Sequence, residues 1–161
     1  MGDFLSWMES SALGQLMRDA GPWSYAVVNL THVLGVASLF GSILVLDLRL
    51  LGMWRRVPVA ALASAIVPVG RTGVAVALST GILLLATNAT EYIGNPFLLI
   101  KFPAIGIGLI NVLVLSRSAA WKALGTRELS AAEWRLLRVM GGISLASWLT
   151  AVSAGRMIAY W

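Results

Sequence analysis

The only histidine of the chain, His32, lies in an apolar run from Ala26 to Leu46. A run of about twenty apolar residues is enough helix to cross a hydrocarbon core of ~30 Å. Counted from Pro22, His32 sits ~15 Å deep at ~1.5 Å per residue. An imidazole at that depth needs a partner: a metal, a proton path or a hydrogen bond. Asn29 is one turn above it on the same helix face, and Gly35 and Val36 are one turn below. A small residue next to an imidazole leaves room for a flat group. Lys101 and Arg156 each lie ~7–8 Å inside the outer ends of their own apolar runs. An axial imidazole with space beside it and cations higher up is what a b-type haem and its propionates require. On this reading His32 is the metal ligand, Asn29 and Gly35 flank the group, and Lys101 and Arg156 meet the propionates. The second axial ligand is left open between Met157 and the His32 of a second copy. The competing reading has His32 hydrogen-bonded across helices, while Lys101 and Arg156 reach out to headgroups.

A second group of ionisable residues collects at the other membrane edge: Asp47, Arg49 and Arg71. The expectation is a structural ion-pair cluster locking the first two spans, with a proton or anion relay as the alternative. The spacing speaks against a Ser-His-Asp hydrolase, since Asp47 stands ~22 Å along the helix from His32. The chain has no cysteine. That removes disulfides, thiolate metal sites, covalent haem attachment through CxxCH and thiol catalysis.

The elements that must hold these residues follow from composition. The chain is 161 residues long, 58% hydrophobic and only 12% charged, against roughly 25% charged in soluble domains. It reads as one integral membrane domain over residues 1–161. Four spans are expected at about 23–46, 69–88, 96–116 and 139–160. Residues 3–19 read as an amphipathic helix lying in the interface, with Leu5, Met8, Ala12 and Leu16 on one face. Residues 58–68, bounded by Pro58 and Pro68, are too short to span and read as a separate surface segment. Ser130 and Glu133 form a capping-box pattern ahead of the last helix. Ala37-xxx-Gly41 has the spacing of a close helix contact. The fold class is therefore an all-α membrane protein, a four-helix antiparallel transmembrane bundle with an N-terminal interfacial helix.

The first residues carry Asp3 and Glu9 and lack a basic leader, so the first span is expected to insert itself. Arg49, Arg55, Arg56 and Arg71 fall between spans one and two. Arg117, Lys122, Arg127, Arg135 and Arg138 fall between spans three and four. Both basic segments are expected in the cytoplasm, which puts both termini in the periplasm of a bacterial inner membrane. The net charge of +5 thus belongs to topology and anionic headgroups and not to nucleic acid.

The order of motifs H-x-x-G (from His32), DLRLLG (from Asp47), P-x-x-R-x-G (from Pro68), TG at Thr80, NPFLLIKFPAIGIGLIN (from Asn95) and AGRMIAYW (from Ala154) covers nearly the whole chain. It resembles a family of four-span bacterial membrane proteins to which no activity is attached. More distantly it is similar to the copper-resistance D membrane domain. It is also similar to the HemJ-type protoporphyrinogen oxidases, where a first-span His and a Lys serve haem b. His32, Lys101 and Asn111 carry that likeness; Arg49 stands at a different spacing from the Arg that follows the HemJ-type histidine. The resemblance implies haem b as cofactor and electron transfer or porphyrin oxidation as activity. A redox partner protein or a quinone would then be the partner, beside the lipid bilayer. The glycine-rich helix faces suggest a homo-oligomer. The alternatives are a transport or channel subunit for a metal ion or proton, with His32 as titrating group, and a structural assembly subunit.

Overall fold

Alanine and leucine dominate the runs between the glycine and proline breaks, and these runs fold as helix throughout. The computed structural model describes residues 2–161, and among them there is no strand. Two short helices open the chain, α1 (Gly2–Ser10) and α2 (Ala12–Asp19). The long helix α3 (Gly21–Leu51) follows, then α4 (Val59–Thr87) and a 3-10 turn at Ala89–Tyr92. Next come α5 (Pro96–Arg117), the single-turn α6 (Ala119–Lys122), and α7 (Ala131–Met157) with a 3-10 end at Ile158–Tyr160. Four of these helices are long and apolar enough to cross a membrane: α3, α4, α5 and the helix from Ala131 to Tyr160.

The expected helix over residues 3–19 is two helices. Ser11 breaks it, because its side chain caps α2 by accepting from Gly14 N at 3.4 Å. The break before the first span is as expected, with Gly21 at φ +80° ahead of Pro22. The segment 58–68, expected to lie apart, is instead the first part of α4, with Pro68 inside the helix. Alanines 60, 61, 63 and 65 are strong helix formers, and their preference carries the helix through the proline. The chain turns between α3 and α4 with Gly52 at φ +114° and Trp54 at φ +46°. The capping box is present as read: Glu133 N donates to Ser130 Oγ at 3.3 Å, and Ser130 N donates to Glu133 Oε2 at 2.8 Å.

The chain forms two compact units. The first comprises residues 2–39 and 71–96, so it holds α1, α2, the first part of α3 and the second part of α4. Here α3 and α4 approach closely through glycine. A Cβ on Gly73 would stand 2.5 Å from Leu39 N and 2.8 Å from Gly35 O, both backbone atoms. At the far end of α4, Gly14 of α2 is equally crowded, with Ala86 O 2.6 Å from where its Cβ would be. Arg18 donates to Thr87 O at 2.9 Å, and Thr90 donates to Glu9 through both its N–H and its hydroxyl, at 2.6 and 2.7 Å. Leu5 and Ala89 are buried there.

The second unit comprises Phe40–Gly70 and Phe97–Trp161. Its apolar core is Leu50, Val59, Leu115, Ala120 and Leu137. Gly141 lets α7 meet α3 at Leu50, and Gly108 lets α5 meet the indole of Trp148 on α7. The pair Ala37 and Gly41 does not form the expected close contact. Ala37 is exposed, and nothing lies within 4 Å of a Cβ built on Gly41. The glycines that admit a neighbouring backbone are those facing a partner helix, and spacing alone does not tell which face that is.

Candidate functional site

In the first unit, α3 presents His32 to α4, half-buried. Its Nδ1 lies 3.0 Å from Thr80 Oγ1. The Thr80 hydroxyl has already committed its proton, donating to Val76 O at 2.6 Å one turn back along α4. Thr80 Oγ1 therefore accepts, and the imidazole Nδ1–H donates. The tautomer that satisfies both contacts carries its proton on Nδ1 and its lone pair on Nε2. Gly81 gives the ring its room, since a Cβ there would stand 3.1 Å from His32 Cε1. Thr80 and Gly81 together are thus the cradle of His32.

The flanking residues do something else. The space beside Gly35 is taken by α4: a Cβ there would meet Val76 Cγ1 at 2.8 Å and Ala77 N at 2.9 Å. Gly35 is a helix-contact residue, and it offers no slot for a flat group. Asn29 is exposed.

Lys101 and Arg156 belong to the second unit. A Cβ on Gly155 would touch Lys101 Cε and Nζ at 3.5 Å, so the half-buried lysine lies against α7 at Gly155. Arg156 is exposed; it donates to the Tyr160 hydroxyl and stacks over that ring at 4.8 Å from its centroid. Asn111 is buried and donates to Met140 O at 3.0 Å, which ties α5 to α7.

The expected ion-pair cluster is not formed. Among the described residues the one ion pair is Arg127–Glu133, at 2.5 Å. Asp47 and Arg49 are two positions apart on α3, hence on opposite faces of the helix. Asp47 turns to α7, where the Ser144 hydroxyl faces it. Its Oδ2 is buried without a hydrogen-bond partner. Arg49 turns to the α3–α4 loop and donates to Val57 O at 2.7 Å and Arg55 O at 3.2 Å. Arg71 belongs to the other unit and is exposed.

Sequence reasoning missed Thr80 as the partner of His32 and Ser144 as the residue facing Asp47. The available signal was the hydroxyl itself. Thr80 returns its proton to its own helix, which leaves an oxygen that can accept from His32, whereas the Ser144 hydroxyl donates to the Asp47 carboxylate.

Four helices long and apolar enough to cross a membrane define a multi-pass membrane protein. The chain belongs to the family of unknown function DUF6644, whose profile matches residues 4–161. No curated protein and no solved structure matches the chain.

Proposed function

We propose that the protein is a haem b-binding membrane protein that serves electron transfer or porphyrin oxidation, with His32 as axial ligand through Nε2. The observation that carries this reading is the 3.0 Å contact of His32 Nδ1 with Thr80 Oγ1, whose hydroxyl lies 2.6 Å from Val76 O. A ligating histidine commonly gives its other N–H to such a partner, which sets the ring and raises the basicity of the ligating nitrogen. The donor set fits in this respect. It does not fit at Gly35, so the room for a porphyrin has to come from elsewhere around His32. Lys101 and Arg156 belong to the second unit and are not assigned to the His32 site; the likeness to the copper-resistance D and HemJ-type proteins belongs to this proposal. The iron would supply one-electron chemistry. The protein's residues would hold and orient it and keep water from it. His32→Ala is expected to abolish haem retention, and Thr80→Val to weaken it by roughly 10–100-fold. Both are read by titrating haem into apoprotein in detergent and following absorbance. Unchanged affinity in His32→Ala would remove the ligand assignment.

The same proposal places the protein in a bacterial inner membrane with both termini in the periplasm, on the distribution of Lys and Arg. A reporter active only in the cytoplasm, fused after Trp161, is expected to be silent; activity there would reverse the orientation. A second reading, a proton-translocating subunit, has one observation on its side: the buried, unpartnered Oδ2 of Asp47. A proton flux in proteoliposomes that Asp47→Asn removes would favour it over the first.

A further inference from the structure

Arg49 is 8% exposed, yet no carboxylate among the described residues pairs with it. A guanidinium has five N–H groups. Two of Arg49's are used, on the carbonyls of Val57 and Arg55. Three remain, on a cation that burial makes costly to leave without a counter-charge.

Arg49 lines a cavity of about 420 Å³, within the range of small-ligand pockets. The cavity also opens on Pro58, Val59 and Ala60, the start of the 29-residue helix α4. The first hydrogen bond of that helix is Leu62 N to Pro58 O, at 3.1 Å. The N–H groups ahead of it, of Val59, Ala60 and Ala61, precede any intrahelical partner. Pro58 has no side-chain group to cap them. A long helix therefore points its positive end and open N–H donors at the cavity that holds the buried arginine. The remaining wall is apolar, with Leu124, Leu129 and Trp134. Two charged residues stand with it: Arg127, whose charge is met by Glu133, and the exposed Glu128.

We propose that this cavity is a phosphate-binding site, with the phosphate seated between the Arg49 guanidinium and the N-terminus of α4. A phosphate oxygen accepts from a guanidinium fork and from helix N–H groups alike. The apolar wall suits the glycerol and acyl end of a phospholipid, and the same oxygens occur on free phosphate. The site goes beyond the haem reading and does not depend on His32, which belongs to the other unit.

The test is calorimetric titration of the full chain in detergent with three probes: dihexanoyl-phosphatidylglycerol, inorganic phosphate, and phosphate-free dihexanoylglycerol. Saturable binding of the phospholipid alone supports the site and makes a lipid headgroup its source. Binding of inorganic phosphate as well supports it and makes the source soluble. Arg49→Gln is expected to weaken binding roughly tenfold or more. Because Arg49 also ties the loop, Ala60→Leu serves as the second variant: it fills the cavity, leaves every charge in place, and is expected to weaken binding at an unchanged melting temperature. The proposal is overturned if neither phosphate probe binds, if dihexanoylglycerol binds equally well, or if a folded variant binds as the wild type does.

Discussion

A hydroxyl decides the state of the one histidine. Thr80 spends its proton on Val76 O, so it can only accept from His32. His32 was legible in the sequence as the sole imidazole and by its depth. Its partner was not, because Thr80 is 48 positions away, and which α4 residue meets it depends on how two helices are rotated. The same limit applies at Asp47. Charge and position suggested an arginine partner, whereas helix geometry puts Arg49 on the opposite face and Ser144 of α7 takes the place. This changes the expected outcome of a substitution. Were Asp47 half of an ion pair, Asp47→Asn would strand a buried cation and cost about 3–5 kcal/mol. Since Arg49 bonds to carbonyls instead, Asp47→Asn is expected to leave thermal unfolding in detergent unchanged or to raise its midpoint. A large fall would restore the ion-pair account.

At the scale of elements, composition pointed to four helices long and apolar enough to span, and the structure has four; the Ser130–Glu133 capping box was readable residue by residue. Beside the break at Ser11, two element readings differ from the structure for physical reasons. Pro68 looked like a boundary, but the alanine-rich segment before it continues as α4. Ala37-xxx-Gly41 looked like a packing face, but the close approach of α3 and α4 uses Gly35 and Gly73. A small-residue spacing marks a surface that could admit a helix; the partner's position selects which surface does. Gly73→Ala puts a methyl group against the backbone of Leu39 and Gly35 and is expected to destabilise by about 1–3 kcal/mol. Gly41→Ala, with nothing within 4 Å, is expected to be neutral or slightly stabilising. Thermal unfolding of the two variants side by side checks this, and equal losses would contradict it.

At the scale of the whole molecule, the N-terminal helices are not a loose interfacial appendage. They are tied to the exit of α4 by Glu9, Arg18 and the close packing at Gly14. Thr90's N–H and hydroxyl hold the Glu9 carboxyl below its ordinary value of 4.5. A carboxylate lowered by folding contributes stability that is fully present above its unfolded value and lost as pH falls through the folded one. A spin label at Ser6 is therefore expected to be immobile at neutral pH and to gain mobility once acidification passes below the ordinary carboxyl value of 4.5. Glu9→Gln should show the added mobility already at neutral pH; a label indifferent to both changes would deny the tie. The central proposal at this scale is the haem, which the sequence raised because His32 has no competitor as an imidazole ligand. The most direct measurement is the visible absorption spectrum of the full-length protein, expressed with ample haem and purified in detergent, oxidised and then reduced with dithionite. The haem account predicts a Soret band that shifts on reduction and sharpened α and β bands, at a stoichiometry near one haem per chain or per pair of chains. A colourless protein would contradict it.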